Sequence, residues 1–430
     1  MALAVSRYGT TRGVRLQGYD SIPAGVSTQL FWMNAQDGGE ARGVLYARGG
    51  EKTAILITHP RSSYIRHYLI PYFLEAGYAV FGLECRYLNN DVFCIHELLL
   101  LDVAAAVRFL RNERGYEKIV GVGNSGGGSL LAFYQAEAET HPPARLTTTP
   151  AGDPCDLNAY EMIPLDGFAM VGAHLGEGLL LMDAMDPSVI DETDPTAIDP
   201  ALDMFDPRNG YRGPDVSAQY SADFILRYRE AQRARVARID AAARSHLEQQ
   251  RFFGVLADST NEADSRKQKL LQKSVMTKYL VINRVEADLR FCDLSIEPSK
   301  RSLGSLESIR PDVSNFSDTG GFGRIMSPRG WLSTWSGLSS RANLPRSLRK
   351  IAMPVLFVIY TGDNGFFPGG TDLCTSAAIS NDLSTVLLEV DHGGWPLEGG
   401  PYPKAGEHYR EGRRRAGEAV TAWMKERYPG

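Results

Sequence analysis

The alternation of buried apolar runs with helical patterns is the feature that most constrains how this chain can fold. Continuous apolar runs rich in β-branched residues are typical of strands buried on both faces of a sheet. Such runs occur at residues 53–58, 78–83, 118–122 and 167–173. Helical patterns lie between them, at residues 65–76, 97–114 and 130–139. Repeated strand–helix–strand units predict a parallel sheet with helices on both faces.

The alternation stops in the middle of the chain and later resumes. From about residue 185 to residue 341 there are Asp-Pro loops, a long helical pattern from Ser221 to about Phe253, and mixed segments. Two strand patterns and a closing helical pattern then follow, at residues 354–360, 384–390 and about 409–427. The predicted fold class is therefore α/β, with a mostly parallel doubly wound sheet and an inserted, mainly helical cap.

The domain boundaries follow from this break. Residues 1–185 and 346–430 are predicted to form the sheet domain, and residues 186–345 are predicted to form the cap. Two short early strands, at residues 29–33 and 41–47, would belong to the same sheet.

Charge and composition argue against several classes of protein. The formal net charge is -5, so no overall positive field would attract nucleic acid or anionic lipid. No apolar run approaches the roughly 20 residues that a membrane-spanning helix needs. The apolar stretch within Met1 to Tyr8 is too short for a signal peptide, and the five cysteines are scattered without a CxxC pair. We expect a protein of the reducing cytoplasm, without a membrane span, a nucleic-acid partner or a bound metal.

The long central helix carries many arginines, which raises the question of nucleic-acid binding. They are Arg227, Arg229, Arg233, Arg235, Arg238 and Arg244. Apolar residues such as Ile225, Val236 and Ile239 fall on one face of this helix. The arginines are therefore predicted to lie on a solvated face, interspersed with acidic residues.

A short glycine-rich segment after the strand at residues 118–122 carries the strongest chemical signal. It contains G-x-S-x-G, formed by Gly123, Ser125 and Gly127. Small neighbours at this spacing allow a nucleophile to occupy a sharp strand-to-helix turn above the carboxyl edge of the sheet. The turn would also place the Gly126 N–H where it can face a developing oxyanion. The pattern predicts Ser125 as a nucleophile, the alternative being a tight turn with an incidental serine.

The same glycines also fit a pattern from a different class of enzyme. Gly121, Gly123 and Gly126 match the G-x-G-x-x-G of NAD(P)-binding oxidoreductases. That site needs an acidic residue at the end of the next strand, about 20 residues further on. The chain instead continues as a helix into the loop at His141 and Pro142. The dinucleotide interpretation is the weaker of the two.

A serine nucleophile of this kind needs an acid and then a histidine later in the chain. His392 directly follows the last predicted strand and is predicted as the general base. Asp363 follows the strand at residues 354–360 and is predicted as the acid that fixes the histidine tautomer. The alternatives for this acid are Asp183, Asp186 and Asp372.

The second oxyanion donor is expected from the loop after the strand at residues 53–58. Pro60 has no N–H, so the donor in this loop would be the Arg61 amide. The alternative is that His59 and Pro60 simply end the strand.

These residues together resemble the α/β-hydrolase superfamily, over roughly residues 40–180 and 350–425. The motifs that carry the resemblance are the loop at 59–61, the helix at 102–110, the turn at 123–127, Gly362-Asp363 and Asp391-His392. The resemblance implies about eight mostly parallel strands, with a cap inserted after the sixth. It also implies a triad and two oxyanion amides, namely Ser125, Asp363 and His392 with Arg61 and Gly126.

The chain departs from the family pattern in two places. Pro60 stands where the family commonly has glycine, so the oxyanion loop can differ in shape. Asp363 stands a residue or two nearer its preceding glycine than the family's acid does, with Asn364 and Gly365 in the usual places.

The predicted function is that of a serine hydrolase acting through an acyl-enzyme on Ser125, with no cofactor. Its substrate would be an ester, lactone or amide of a bulky, partly apolar small molecule. The candidate pocket residues are His59, His174, Trp331, Trp335 and Trp395. The aromatic residues of the cap would serve equally well as its own core.

Other functions on the same residues stay open. C–C bond hydrolysis and acyl transfer to an alcohol use the same triad, and non-catalytic binding of a small ligand needs no turnover. A homodimer is the candidate assembly.

Overall fold

An eight-stranded sheet forms the centre of the molecule and confirms the predicted fold class. The computed structural model describes residues 21–261, 265–317, 321–397 and 407–428. The strands are β1 (Ser27–Asn34), β2 (Glu40–Ala47), β3 (Thr53–His59), β4 (Ala79–Glu84), β5 (Lys118–Ser125), β6 (Gly167–Ala173), β7 (Val355–Tyr360) and β8 (Leu383–Leu388).

The strand order is β1-β2-β4-β3-β5-β6-β7-β8. Strand β2 pairs antiparallel with both of its neighbours, and all other neighbouring strands are parallel. The carboxyl ends of β3, β5, β6, β7 and β8 therefore lie along one edge of the sheet, where loops from distant parts of the sequence meet.

Helices cover both faces of the sheet, as the alternation predicts. The longer ones are α1 (Ile70–Glu75), α2 (His96–Arg108), α3 (Gly126–Ala138), α4 (Glu177–Ala184), α5 (Ala222–Asp258), α6 (Arg266–Val275), α7 (Leu344–Leu348), α8 (Pro368–Ala377) and α9 (Glu407–Lys425). Helices α2 and α3 contribute to the core on one face, and α1 and α9 contribute to the core on the other. Single helical turns occur at Leu157–Ala159, Pro200–Leu202, Pro207–Asn209, Leu289–Phe291, Pro311–Ser314 and Pro328–Gly330.

Two helices differ from their predicted extent. The pattern at residues 65–76 forms a helix only from Ile70, because Pro71 is suited to the first turn of a helix and not to its interior. The predicted helix at residues 97–114 is α-helical as far as Arg108 and then widens into a π-helical turn, Phe109–Glu113.

The chain between α4 and α7, here called the insertion, contributes no strand to the main sheet within the described residues. It contains α5, α6, a second π-helical turn (Trp331–Trp335) and a two-stranded antiparallel ribbon of Leu280–Val281 and Ile325–Met326. Its apolar side chains, including Val236 and Ile239 of α5, form a second core together with Leu181 and Met182 of α4. The insertion lies between the sixth and seventh strands, and the boundaries 186–345 stay a prediction.

The prediction that the arginines of α5 lie on a solvated face is wrong for two of them. Arg235 is only 1% exposed and forms an ion pair of 2.6 Å with Glu192. Arg229 pairs with the buried Asp288 at 2.8 Å. Both partners come from segments that precede or follow α5, so helical periodicity alone does not reveal these contacts.

Among the helices of the described residues, none has both the length and the apolar character needed to cross a bilayer. The segment Met1 to Tyr8, considered above for a signal peptide, lies outside the described residues.

Candidate active site

Ser125 lies at the point where β5 ends and α3 begins, in a strained backbone conformation. Its φ is 53° and its ψ is -128°, a region that residues with a side chain rarely occupy. The chain can turn this sharply because its neighbours lack side chains. A Cβ on Gly123 would lie 2.5 Å from the Cα of Gly128, and one on Gly127 would lie 2.1 Å from a backbone oxygen of β3. The G-x-S-x-G spacing is thus a packing requirement of this turn.

Three side chains predicted to act together form one hydrogen-bonded chain. His392, in the loop after β8, has its Nε2 3.0 Å from Ser125 Oγ. Its Nδ1 lies 2.7 Å from Oδ2 of Asp363, in the loop after β7. Because an ionised carboxylate can only accept, Nδ1–H donates to Asp363 and Nε2 is left to accept the serine proton. The other Asp363 oxygen accepts from the Gly365 amide at 2.6 Å, which fixes the carboxylate.

A buried polar network holds the backbone behind the nucleophile. Asn124 donates from Nδ2 to the Val171 carbonyl at 2.6 Å, and its Oδ1 accepts from the Tyr64 hydroxyl at 3.0 Å. The Nε2 of His67 lies 3.2 Å from the same oxygen. Burial lowers the pKa of His67 to about 3, so the ring is neutral and donates to Asn124. These contacts stabilise the bend from the side opposite the hydroxyl.

The loop that carries the acid is also attached to the insertion. Asn364, next to Asp363, donates from Nδ2 to the carbonyl of Ser302 at 3.1 Å and to that of Gly304. The Lys300 amide donates to the Thr361 carbonyl at 2.9 Å. Asn364 therefore joins the sheet loop to the insertion.

The loop after β3 does not present its amides in the expected way. The Arg61 and Ser62 amides both donate to Nδ1 of His59, at 3.2 and 3.0 Å. The Arg61 amide, the predicted second oxyanion donor, is therefore not free for an oxyanion. By contrast, the Gly126 amide is at the first position of α3, where it has no intrahelical partner.

The His59 ring itself presents a hydrogen-bond donor, its Nε2–H, near Gly126. Burial lowers the pKa of His59 well below its usual value, against the opposing field of Glu177. In the neutral ring Nδ1 accepts the two loop amides, so Nε2 carries the proton. A Cβ on Gly126 would lie 3.0 Å from this Nε2. The Nε2–H of His59 therefore lies beside the residue that follows the nucleophile.

Glu177, at the first turn of α4, is a site residue that the sequence analysis missed. Its side chain is completely buried, and neither carboxylate oxygen has a hydrogen-bond partner among the described residues. Burial alone would raise its pKa, but the fields of Arg61, His174 and His59 lower it to about 2. Nε of Arg61 lies 3.4 Å from one oxygen, and Nε2 of His174 lies 3.7 Å from the other. The spacing His174-x-x-Glu177 gave no distinctive signal, because the environment of Glu177 depends on Arg61, which comes from the loop after β3.

A small cavity separates α4 from the insertion beside this carboxylate. Its lining includes Glu177, Leu180, Leu181, Leu306, Phe322 and Trp335. The lining is mostly apolar with few polar groups, which is usual for sites that bind small organic molecules.

The five predicted pocket residues fall into two groups. His59, His174 and Trp335 lie at this cavity or its charged wall. Trp331 instead belongs to the core of the insertion, with Nε1 donating to Asp240 at 2.6 Å. Trp395 packs against the Arg413 guanidinium, 3.8 Å from the ring centre, and supports the His392 loop from behind. Trp335 belongs to the same core as Trp331 and also lines the cavity, so the two interpretations of the cap aromatics are not exclusive.

The alternative acids have other partners or lie elsewhere. Asp183 pairs with Arg290 at 2.5 Å and Asp186 pairs with Arg284 at 2.7 Å. Asp372 is exposed on α8. Within the described ranges, no group of three or more His, Cys, Asp or Glu side chains is arranged to hold a metal ion.

Comparison with known proteins gives a likeness in fold only. No family model matches the chain, and no curated protein sequence matches it. The esterase domain of a Rhodothermus marinus protein is 11% identical, with 93% of this chain and 98% of that chain covered and a TM-score of 0.39. An esterase from Pyrococcus furiosus is 10% identical, with 93% of each chain covered and a TM-score of 0.41. An α/β hydrolase from a Penicillium species is 11% identical, with 85% and 91% covered and a TM-score of 0.42.

The topology itself is more informative. Eight strands in this order, with only β2 antiparallel to its neighbours, carry the serine after β5, the acid after β7 and the histidine after β8. Serine, acid and histidine follow one another in that chain order, with the serine on a strained strand-to-helix turn. The chain therefore has the fold of the α/β-hydrolase superfamily.

Proposed function

We propose that the protein is a serine hydrolase that cleaves an ester, lactone or amide bond of a bulky, partly apolar small molecule. The observation that carries this proposal is the continuous hydrogen-bonded chain from Ser125 through His392 to Asp363. A serine in a packing turn without catalytic use would have no need of a histidine and a buried carboxylate in this geometry.

The reaction proceeds in two acyl-transfer steps. His392 takes the proton of Ser125 as its oxygen attacks the substrate carbonyl, and Asp363 stabilises the imidazolium that forms. His392 then gives the proton to the leaving group, which departs from the acyl-enzyme. In the second step His392 activates a water that releases the acid and restores the serine.

Two donors serve the oxyanion in this proposal. One is the Gly126 amide, as predicted from the sequence. The other is the Nε2–H of His59, which replaces the Arg61 amide because that amide donates to the His59 ring. A donor held in place before the reaction stabilises developing charge without reorganisation.

Labelling with a fluorophosphonate probe tests the proposal. We expect the probe to modify Ser125, as located by mass spectrometry of the digested protein. Ser125→Ala should not be labelled at this peptide and should lose hydrolysis of 4-nitrophenyl esters while keeping the wild-type unfolding midpoint. Wild-type-like hydrolysis by Ser125→Ala, or an unlabelled wild type, would contradict the proposal.

Product analysis separates the chemistries that share this triad. Aryl esters, vinylogous diketones and an added alcohol acceptor distinguish ester hydrolysis, C–C hydrolysis and acyl transfer. Labelling of Ser125 without turnover of any of them would instead favour a binding protein.

A further inference from the structure

The carboxylate of Glu177 is unusual among the buried acids of this protein. It is fully buried and ionised, yet neither oxygen accepts a hydrogen bond within the described part of the chain. A buried polar group without a partner costs free energy, and a charged one costs more. Such a group therefore calls for an explanation.

Two other buried glutamates each accept at least one hydrogen bond from a serine hydroxyl, although Oε1 of Glu97 also has no partner among the described residues. Glu97 accepts from the Ser333 hydroxyl at 2.6 Å, and Glu286 accepts from the Ser305 and Ser314 hydroxyls at 2.5 and 2.9 Å. Glu177 has no such serine; its oxygens face Arg61 Nε at 3.4 Å and His174 Nε2 at 3.7 Å. The Arg61 nitrogen is itself buried without a hydrogen-bond partner.

Donor and acceptor thus lie side by side without a hydrogen bond, and Glu177 lines the cavity. A Cβ on Gly126 would lie 2.5 Å from Glu177 Oε1, so the carboxylate borders the residue that holds the oxyanion. The cavity beside it is otherwise lined mainly by apolar groups, including Phe322 and Trp335. A ligand group here would be close to the scissile carbonyl.

Hydrogen-bonding capacity decides which group fits. The Arg61 guanidinium lies 3.4 Å from both Glu177 and Asp91, and it is held over the rings of Phe322 and Trp335, 4.8 and 5.1 Å from their centres. An ammonium group offers no acceptor for the Arg61 Nε–H. A hydroxyl is neutral, donates one hydrogen bond and accepts another, so it satisfies both orphan atoms.

We propose that Glu177 and Arg61 bind a hydroxyl group on the acyl part of the substrate, close to the carbonyl that Ser125 attacks. The substrate class is then an ester, lactone or amide of a hydroxylated, otherwise apolar acid. This inference rests on the proposed hydrolase function.

The test compares matched esters that differ only in the hydroxyl. The pairs are the 4-nitrophenyl esters of 3-hydroxy-3-phenylpropanoic and 3-phenylpropanoic acids, and of mandelic and phenylacetic acids. Spontaneous hydrolysis is subtracted in each case. For at least one pair we expect kcat/KM to favour the hydroxylated ester by about 10- to 100-fold, the effect of one hydrogen bond to a charged group.

Variants connect this preference to Glu177. Glu177→Leu should reduce the ratio of the two kcat/KM values to near one, and Glu177→Gln should reduce it partly. Glu97→Gln, which alters a buried glutamate away from the cavity, should keep the wild-type ratio. Because Glu177→Leu can lose stability, thermal unfolding is measured for each variant, and the ratio is used rather than the absolute rate.

A second readout does not need turnover. The amides of the same acids are tested for protection of Ser125 against the fluorophosphonate probe. We expect the hydroxylated amide to protect at about 10-fold lower concentration in the wild type, and this difference to vanish in Glu177→Gln. Labelled protein without any preference in either assay would overturn the inference and leave the hydrolase proposal standing. Absence of labelling would instead overturn the proposed function.

Discussion

At the scale of single residues, position along the chain predicted the three side chains that form the hydrogen-bonded chain, whereas the roles proposed for the neighbouring residues depend on their surroundings. His392 and Asp363 each follow a strand of the sheet, and the carboxyl ends of parallel strands meet at one edge. The donor role of His59 depends on the orientation of a ring, which no spacing reveals. The available signal was Pro60, whose missing N–H already made the expected oxyanion loop unusual.

The acid gives the first prediction at this scale. Asp363→Asn should lower kcat by about 10,000-fold, because the amide lets His392 adopt the tautomer that cannot accept the serine proton. Asp372→Asn, at an exposed position of α8, is the matched control and should keep wild-type activity. The measurement is steady-state hydrolysis of a 4-nitrophenyl ester, with circular dichroism as a check of folding. Retention of more than a tenth of the activity would show that another carboxylate acts as the acid.

The proposed role of His59 as an oxyanion donor gives the second prediction at this scale. His59→Phe removes the Nε2–H and should lower kcat by about 100- to 1,000-fold, the usual effect of removing one oxyanion donor. KM should change little, because the oxyanion forms only in the transition state. His59→Gln, which retains a side-chain N–H, should recover part of the rate. The exposed His141→Phe serves as the control, and an unchanged kcat in His59→Phe would assign the second donor elsewhere.

At the scale of secondary-structure elements, strands β3 to β7 were predicted closely because each is a nearly continuous buried run. Strand β6 was predicted with its observed bounds, Gly167–Ala173. Helix α5 begins where its N-cap Ser221 predicts, with the serine hydroxyl accepting from the Phe224 amide, but it extends five residues beyond Phe253. Its end depends on packing against α6 and other parts of the insertion, which a local pattern does not contain.

The contact between α3 and the sheet gives a prediction for the elements themselves. Gly127→Ala should destabilise the protein by about 3 kcal/mol, because the added methyl group would meet the backbone oxygen of Thr58. Gly254→Ala, in α5, is the matched control, since its Cβ would have only one ordinary contact, at 3.8 Å. That variant should be more stable by about 0.5–1 kcal/mol, owing to the higher helix propensity of alanine. Urea unfolding measures both, and equal effects of the two substitutions would contradict the packing argument.

At the scale of the whole molecule, two buried glutamates, Glu97 in α2 and Glu286 in the insertion, make the free energy of unfolding depend on pH. Burial raises the pKa of both Glu97 and Glu286 from 4.5 to about 7. The folded state therefore keeps these protons while the unfolded state loses them. For these groups the free energy of unfolding is greatest below pH 4.5 and falls as the pH rises to about 7.

The corresponding prediction concerns Glu97→Gln. The contribution of Glu97 to the free energy of unfolding should fall by about 3 kcal/mol between pH 4.5 and 7, since one unit of pKa corresponds to about 1.4 kcal/mol. The variant should therefore lose less stability than the wild type across this range. Urea unfolding at pH 5 and pH 8 gives the difference, with the exposed Glu113→Gln as the control. If the free energy of unfolding changed equally with pH in the wild type and in Glu97→Gln, the raised pKa of Glu97 would be refuted.

The overall division into a sheet and an insertion was visible in the sequence, but the way the two are joined was not. Apolar periodicity predicts which segments are buried, whereas the contacts between distant loops depend on three-dimensional proximity. The two hydrogen bonds from Asn364 to the insertion are such contacts, and so is the 2.9 Å bond between Lys300 and Thr361.

These hydrogen bonds between the sheet loop and the insertion limit how a substrate can enter the site. If the insertion swung away as a rigid lid, it would pull on the residue adjacent to Asp363 and separate the acid from His392. A substrate must then enter through smaller, local movements of the side chains and loops around the cavity. Through its hydrogen bonds, Asn364 couples any displacement of the insertion to the position of Asp363.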